Sequence, residues 1–85
     1  MLVVSAMDAF RRFIGSVPEH MAEADVIDQI VAHAGVRPQR VLIRNSTGDS
    51  NSCFGIVHFH SPQAAAWLSE VGMVWADGRV STVRP

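Results

Sequence analysis

The chain has 85 residues, of which 48% are hydrophobic and 18% are charged, and its net charge is −1. This composition excludes a disordered chain, and no apolar run is long enough to span a bilayer, so we expect no membrane partner. The charge gives no bulk polycation signal for nucleic acid. A single cysteine excludes an intrachain disulfide framework and favours a reducing, intracellular compartment such as the nucleus, the cytoplasm or an organelle matrix.

The chain begins with an apolar stretch, and we expect residues 1–9 to be a flexible lead-in or a cloning remnant before one domain of residues 10–85. The first strand is predicted at residues 10–17, which read FRRFIGSV and end in turn-forming residues. Side chains alternate between the two faces of a strand. The pattern therefore places Arg11 and Phe13 on the same face.

A first helix is predicted to begin near Ala22 and to end before Gly35, which is a natural C-terminal cap. Its apolar residues recur at helical spacing: Val26, Ile27, Ile30, Val31 and Ala34. A second strand is predicted at residues 39–45, and a polar loop at residues 45–51 leads to a third strand at residues 52–59.

A second helix is predicted to start with Ser61 as its cap and Pro62 at its first position, and to end near Gly72. A short extended piece at residues 73–75 precedes a last strand at residues 79–84. The order β-α-β-β-α-β predicts an α+β sandwich, a four-stranded antiparallel sheet with two helices on one face. The other face of that sheet is then uncovered.

The third strand, SCFGIVHF, has two unlike faces. Small and apolar side chains lie on one face: Cys53, Gly55, Val57 and Phe59. An aromatic, an aliphatic and imidazole side chains lie on the other: Phe54, Ile56 and His58, with His60 beyond them. The first face suits a covering layer of helices, and the second belongs to the uncovered side.

This octamer resembles the third-strand motif of RNA recognition motif (RRM) domains, K/R-G-F/Y-G/A-F-V-x-F/Y. The matching residues are Phe54, Gly55, Val57 and Phe59. Three residues depart from the motif. The family has a basic residue at the position of Ser52, usually a glycine at that of Cys53, and usually an aromatic residue at that of Ile56. The first-strand sequence RFIGSV is similar to the family's other motif at Phe13 and Ile14, and departs from it at Arg12 and Ser16.

The resemblance covers residues 10–85 and implies a ferredoxin-like βαββαβ fold. It implies a non-catalytic module that binds single-stranded RNA, has no cofactor, and takes part in RNA processing. By this resemblance, bases would stack on Phe13 and Phe54 and pack on Ile56. Residues beside these three would supply polar contacts and contacts to phosphate. The implied RNA-binding residues are Phe13, Phe54, Ile56, His58, Arg11 and Arg44.

An alternative is a divergent RRM that serves protein–protein interaction or homodimerisation, through the sheet or through Trp67. The aliphatic Ile56, the near-neutral charge and the high apolar content favour this alternative, whereas the Phe13/Phe54 pair favours RNA. All seven basic residues are Arg, and several lie on or beside strands: Arg11, Arg40, Arg44, Arg79 and Arg84. They are either phosphate contacts or solvated edge residues.

Other candidate sites have ordinary structural explanations. His58 and His60 share a strand face, but the sequence supplies no third metal ligand, so we expect no metal site. Cys53 is expected to be a small packing residue. The acidic residues of the first helix, Glu19, Glu23, Asp25 and Asp28, are expected to be a solvated face rather than a carboxylate site. No phosphate-cradling loop suggests an enzyme of the acylphosphatase kind.

Overall fold

The computed structural model describes residues 9–45 and 53–85. Their strands are β1 (Arg11–Val17), β2 (Arg40–Asn45), β3 (Cys53–His58), β4 (Met73–Val74), β5 (Val80–Ser81) and β6 (Val83–Arg84), and their helices are α1 (Glu23–Ala34) and α2 (Pro62–Val71). Most of the expected lead-in and of the polar loop, together with Ser52, lies outside the described residues.

The main sheet is antiparallel, with the strand order β2-β3-β1-β6. Both helices bury their apolar stripes against the same side of it. The shared core includes Ile14, Val41 and Val57 from the sheet, Val26 and Ile30 from α1, and Ala65 and Leu68 from α2. The predicted α+β, ferredoxin-like arrangement is therefore confirmed, and we call the side of the sheet away from the helices the open face.

Both helices end on the residues that the sequence predicts. The Ala22 N–H at the start of α1 donates a 3.0 Å hydrogen bond to the Asp25 carboxylate. Gly35, with a φ of 73°, closes the helix in the left-handed conformation that favours glycine. At the start of α2, the Ser61 hydroxyl oxygen accepts a 3.2 Å hydrogen bond from the Ala64 N–H.

The segment expected as one last strand, residues 79–84, is divided between two sheets. β5 pairs with β4, whereas β6 pairs with β1. Ser81 stands at this change of partner, and its buried hydroxyl accepts a 2.7 Å hydrogen bond from the Trp75 indole N–H. The same hydroxyl donates to the Ser16 carbonyl at 3.3 Å. Burial of Trp75 and this link to β1 hold the hairpin of β4 and β5 against the end of the main sheet.

β1 carries an irregularity that moves one side chain to the core. Its register against β3 shifts between Ile14 and Val17, and Ser16 within the shift has a φ of 55°. Strict alternation would put Val17 on the same face as Phe13. The shift instead buries Val17 together with Ile14.

The assigned core predicts that replacing valine with alanine lowers the stability of the protein more at a buried strand position than at an exposed one. Val57 is fully buried, whereas Val80 on the outer hairpin is 73% exposed. Val57→Ala should lower the free energy of unfolding by about 2 kcal/mol, since it removes two methyl groups from the core and leaves a cavity. Val80→Ala should cost less than about 0.5 kcal/mol. Urea denaturation checks both values, and equal losses would contradict the assigned core.

Candidate functional site

Three rows of side chains cross the open face, because strand register brings alternate residues of β1, β2 and β3 side by side. The basic row consists of Arg40, His58 and Arg11; the apolar row consists of Leu42, Ile56 and Phe13, continued by Arg84 on β6; the third row consists of Arg44 and Phe54. All six residues that the sequence proposed for the site therefore lie on this one face.

The apolar row forms the middle of the open face. Phe13 pairs with Ile56 in the ladder between β1 and β3, and Ile56 pairs with Leu42 on β2. The three side chains are half-buried, because they pack along the sheet on the side away from α1 and α2. Each therefore leaves part of its apolar surface open to a ligand.

Phe54 lies beside the apolar row and has room on its β1 side. Its partner on β2 is Arg44, while the register shift in β1 places Gly15 and Ser16 on its other flank. A Cβ added at Gly15 would lie 4.0 Å from the Thr82 carbonyl oxygen, its nearest contact among the described residues. Phe13 is a diagonal neighbour of Phe54, and such neighbours lie about 7–8 Å apart on antiparallel strands. The two rings thus form one interrupted aromatic surface.

The basic row has an unusual electrostatic environment. His58 lies between Arg40 on β2 and Arg11 on β1. Partial burial, and then the positive charges of Arg40 and Arg11, lower the pKa of His58 below its ordinary value of 6.5. The Arg11 guanidinium also lies over the Phe13 ring, 5.5 Å from its centroid, which links the basic row to the apolar row.

Other arginines serve structure away from the open face. The Arg12 Nε donates a 2.7 Å hydrogen bond to the Ser69 hydroxyl on α2. Arg79 pairs with Asp77 at 2.8 Å in the turn between β4 and β5, where hydrogen bonds from Arg79 lower the pKa of the Asp77 carboxyl. Arg79, which the sequence grouped with the strand arginines, is therefore already engaged by a carboxylate.

The acidic residues of α1 also have structural partners. The Glu23 carboxylate accepts a 3.0 Å hydrogen bond from the Ile43 N–H, on the outer edge of β2. This contact satisfies an edge donor that another strand could otherwise pair with. Asp25 caps the start of α1, and Asp28 is exposed. Glu23, Asp25 and Asp28 are all exposed, which fits the expected solvated helix face.

Within residues 9–45 and 53–85, no three His, Cys, Asp or Glu side chains are grouped closely enough to hold a metal ion. Cys53 packs partly against the core, and its thiol donates to the Asn45 side-chain oxygen at 3.2 Å. No helix in the part of the chain that the structure describes is long and apolar enough to cross a membrane.

Trp67 lies at the rim of the helix layer and is 49% exposed. Its indole N–H donates a 2.8 Å hydrogen bond to the Ala34 carbonyl, so it joins the second helix to the end of the first. Trp75, in contrast, is buried in the core. The exposed indole ring of Trp67 is thus held in place on the side of the domain away from the open face.

The proposed set of site residues omits three residues that the structure adds to the open face. Leu42 extends the apolar row, Arg40 completes the basic row, and Arg84 pairs with Phe13. The alternation of Arg40, Leu42 and Arg44 in the sequence contains the signal for the first two. Only the register of β2 against β3 shows which residues of the third strand they adjoin.

Comparisons with known proteins bear on the fold of the chain. No protein-family model and no curated protein matches the chain. Among solved structures, the chain is similar to the Mip6 RRM3 domain, with a TM-score of 0.69 and 10% sequence identity over 91% of this chain and 92% of that domain. The likeness shows that the chain has the ferredoxin-like fold of an RRM domain.

Replacing Arg40 with glutamine should raise the pKa of His58, since the protonated imidazole then has one fewer positive neighbour. The pKa can be followed through the His58 ring signals in an NMR pH titration. Arg79→Gln is the matched control, because Arg79 pairs with Asp77 in the distant turn. An identical His58 pKa in wild type and Arg40→Gln would show that the two side chains do not interact.

Proposed function

We propose that this chain is a non-catalytic module that binds single-stranded RNA on the open face. The observation that carries the proposal is the pair of half-buried aromatic rings, Phe13 and Phe54, on the two central strands, on the side of the sheet that neither α1 nor α2 covers. Apolar rings that are only partly covered make flat surfaces on which bases stack. The RRM-like fold is consistent with this use of the sheet.

Stacking can supply most of the binding free energy. Each base stacked on an aromatic side chain contributes about 1–3 kcal/mol, with little dependence on base identity. Phe13 and Phe54 would therefore hold two neighbouring bases. Ile56 is opposite Phe13 and on the same strand as Phe54, and it would contact a base through apolar packing without a π-system.

The distribution of charge supports RNA as the ligand despite the net charge of −1. The arginines on the open face are Arg11, Arg40, Arg44 and Arg84. The acidic residues Glu23, Asp25 and Asp28 are on α1, which covers the opposite side of the sheet. A polyanion would therefore meet positive charge at the aromatic surface and negative charge on the far side.

A second candidate is a protein partner or a second copy of the chain on the same face. The continuous apolar row of Leu42, Ile56 and Phe13 favours this candidate. Exposed apolar patches are also typical of protein–protein interfaces, where no phosphate has to be bound. Sedimentation or light scattering separates the two candidates. A dimer without RNA binding would favour self-association, and a monomer that binds RNA would favour the first proposal.

Phe13→Ala and Phe54→Ala should each weaken binding to short single-stranded RNA by about tenfold or more, because each removes one stacking surface. Fluorescence anisotropy with a labelled pool of RNA sequences measures the effect. Trp67→Ala is the control, since it removes an exposed aromatic side chain from the helix side. Equal affinities for wild type and both Phe variants would contradict stacking on the open face.

Ile56→Phe should strengthen RNA binding by about threefold or more, because it adds a π-surface between Phe13 and Leu42. The half-buried Ile56 side chain lies on the uncovered face, so a larger ring need not enter the core. The same anisotropy assay measures the gain, and Leu42→Phe tests whether any added ring on this row has the same effect. A loss of affinity in Ile56→Phe would contradict a base-stacking role for this position.

A further inference from the structure

We infer that the basic row of Arg40, His58 and Arg11 is a phosphate site, and that His58 takes up a proton when a phosphate group occupies it. The inference rests on the proposed function, because the phosphate belongs to RNA bound on the same face. It adds to that function a defined position for the backbone and a dependence of binding on pH.

The register of the sheet builds the site. Arg40, His58 and Arg11 are directly opposite one another on β2, β3 and β1. Adjacent strands lie about 4.8 Å apart, so the two arginine backbones are separated by about 10 Å with the histidine between them. Arginine side chains are long enough to meet over the imidazole from both flanks. Their planar guanidinium groups can then bind phosphate oxygens in pairs.

The surroundings of the row suit a nucleotide backbone. Arg11 reaches toward the Phe13 ring at 5.5 Å, so a base on Phe13 would bring its own phosphate close to the row. On the other side, His58 joins Phe10, Gln39 and His60 in lining an open cleft of about 330 Å³. This cleft offers space and polar groups to the sugar and phosphate that continue beyond the stacked base.

The pH dependence follows from the charges around His58. Among residues 9–45 and 53–85, the groups facing it include Arg40 from β2, Arg11 from β1, and Gln39 and His60 at the cleft. Without a ligand, burial and the two arginines lower the pKa of His58 and so favour its neutral ring. A phosphate dianion or phosphodiester in the row favours the protonated ring instead and raises that pKa. Binding therefore takes up a proton and strengthens as the pH falls.

The test is an NMR titration of the His58 ring in chloride, in inorganic phosphate at equal ionic strength, and with a saturating pool of short single-stranded RNAs. We expect the pKa of His58 to rise with phosphate and with RNA. We also expect RNA affinity to increase as the pH falls, by no more than about tenfold per pH unit, because one proton is taken up. His58→Gln should lose most of this pH dependence, and His33→Gln, altered in the last turn of α1, should keep it.

Each outcome decides between the inference and the function on which it rests. RNA binding with an unchanged His58 pKa in both phosphate and RNA overturns the phosphate site and leaves base stacking intact. A pKa that rises with RNA alone supports a site that the stacked bases complete. Absence of RNA binding overturns the proposed function and the assignment of the row to RNA; a pKa rise with inorganic phosphate would then mark a site for the free anion.

Discussion

The structure depends on the one-sided covering of its central strand. β3 presents the buried Gly55 and Val57 to the helices, and the half-buried Phe54, Ile56 and His58 to the open face. Because side chains alternate along a strand, a slip of one residue would exchange the two sets. Burial of the small face therefore fixes the position of every residue on the other face. The core and the candidate site are two consequences of the same register.

Local chemistry was enough to predict most of the elements. Ser61 with Pro62, and Gly35, mark helix ends through backbone and capping effects that act over a few residues. The division of the last strand could not be predicted in the same way. It depends on the hydrogen bond from Trp75 to Ser81 and on the one from Ser81 to Ser16, which is 65 residues away and meets the hairpin only in the folded chain. Tertiary contacts of this kind leave no periodic signal.

The candidate site was predictable in composition more than in arrangement. Alternation alone put Phe13, Phe54, Ile56 and His58 on the uncovered side. It did not show that Arg40 faces His58, because the register between two strands is a property of the pair rather than of either sequence. The electrostatic environment of the imidazole, and the basic row itself, emerge only when three strands are aligned.

The likeness to an RRM domain at 10% identity shows a shared fold between two chains of very different sequence. The chemistry of the open face therefore has to be argued from this chain's own residues. Here an aliphatic residue adjoins both aromatic ones, and a histidine lies between two arginines.

The most direct test of RNA binding on the open face is a map of backbone amide shifts during titration with pooled single-stranded RNA. The account predicts the largest changes on β1 and β3, at Phe13, Phe54, Ile56 and His58, with α1 and α2 nearly unchanged. Absence of shifts at RNA concentrations of tens of micromolar, or shifts confined to the helices, would contradict it.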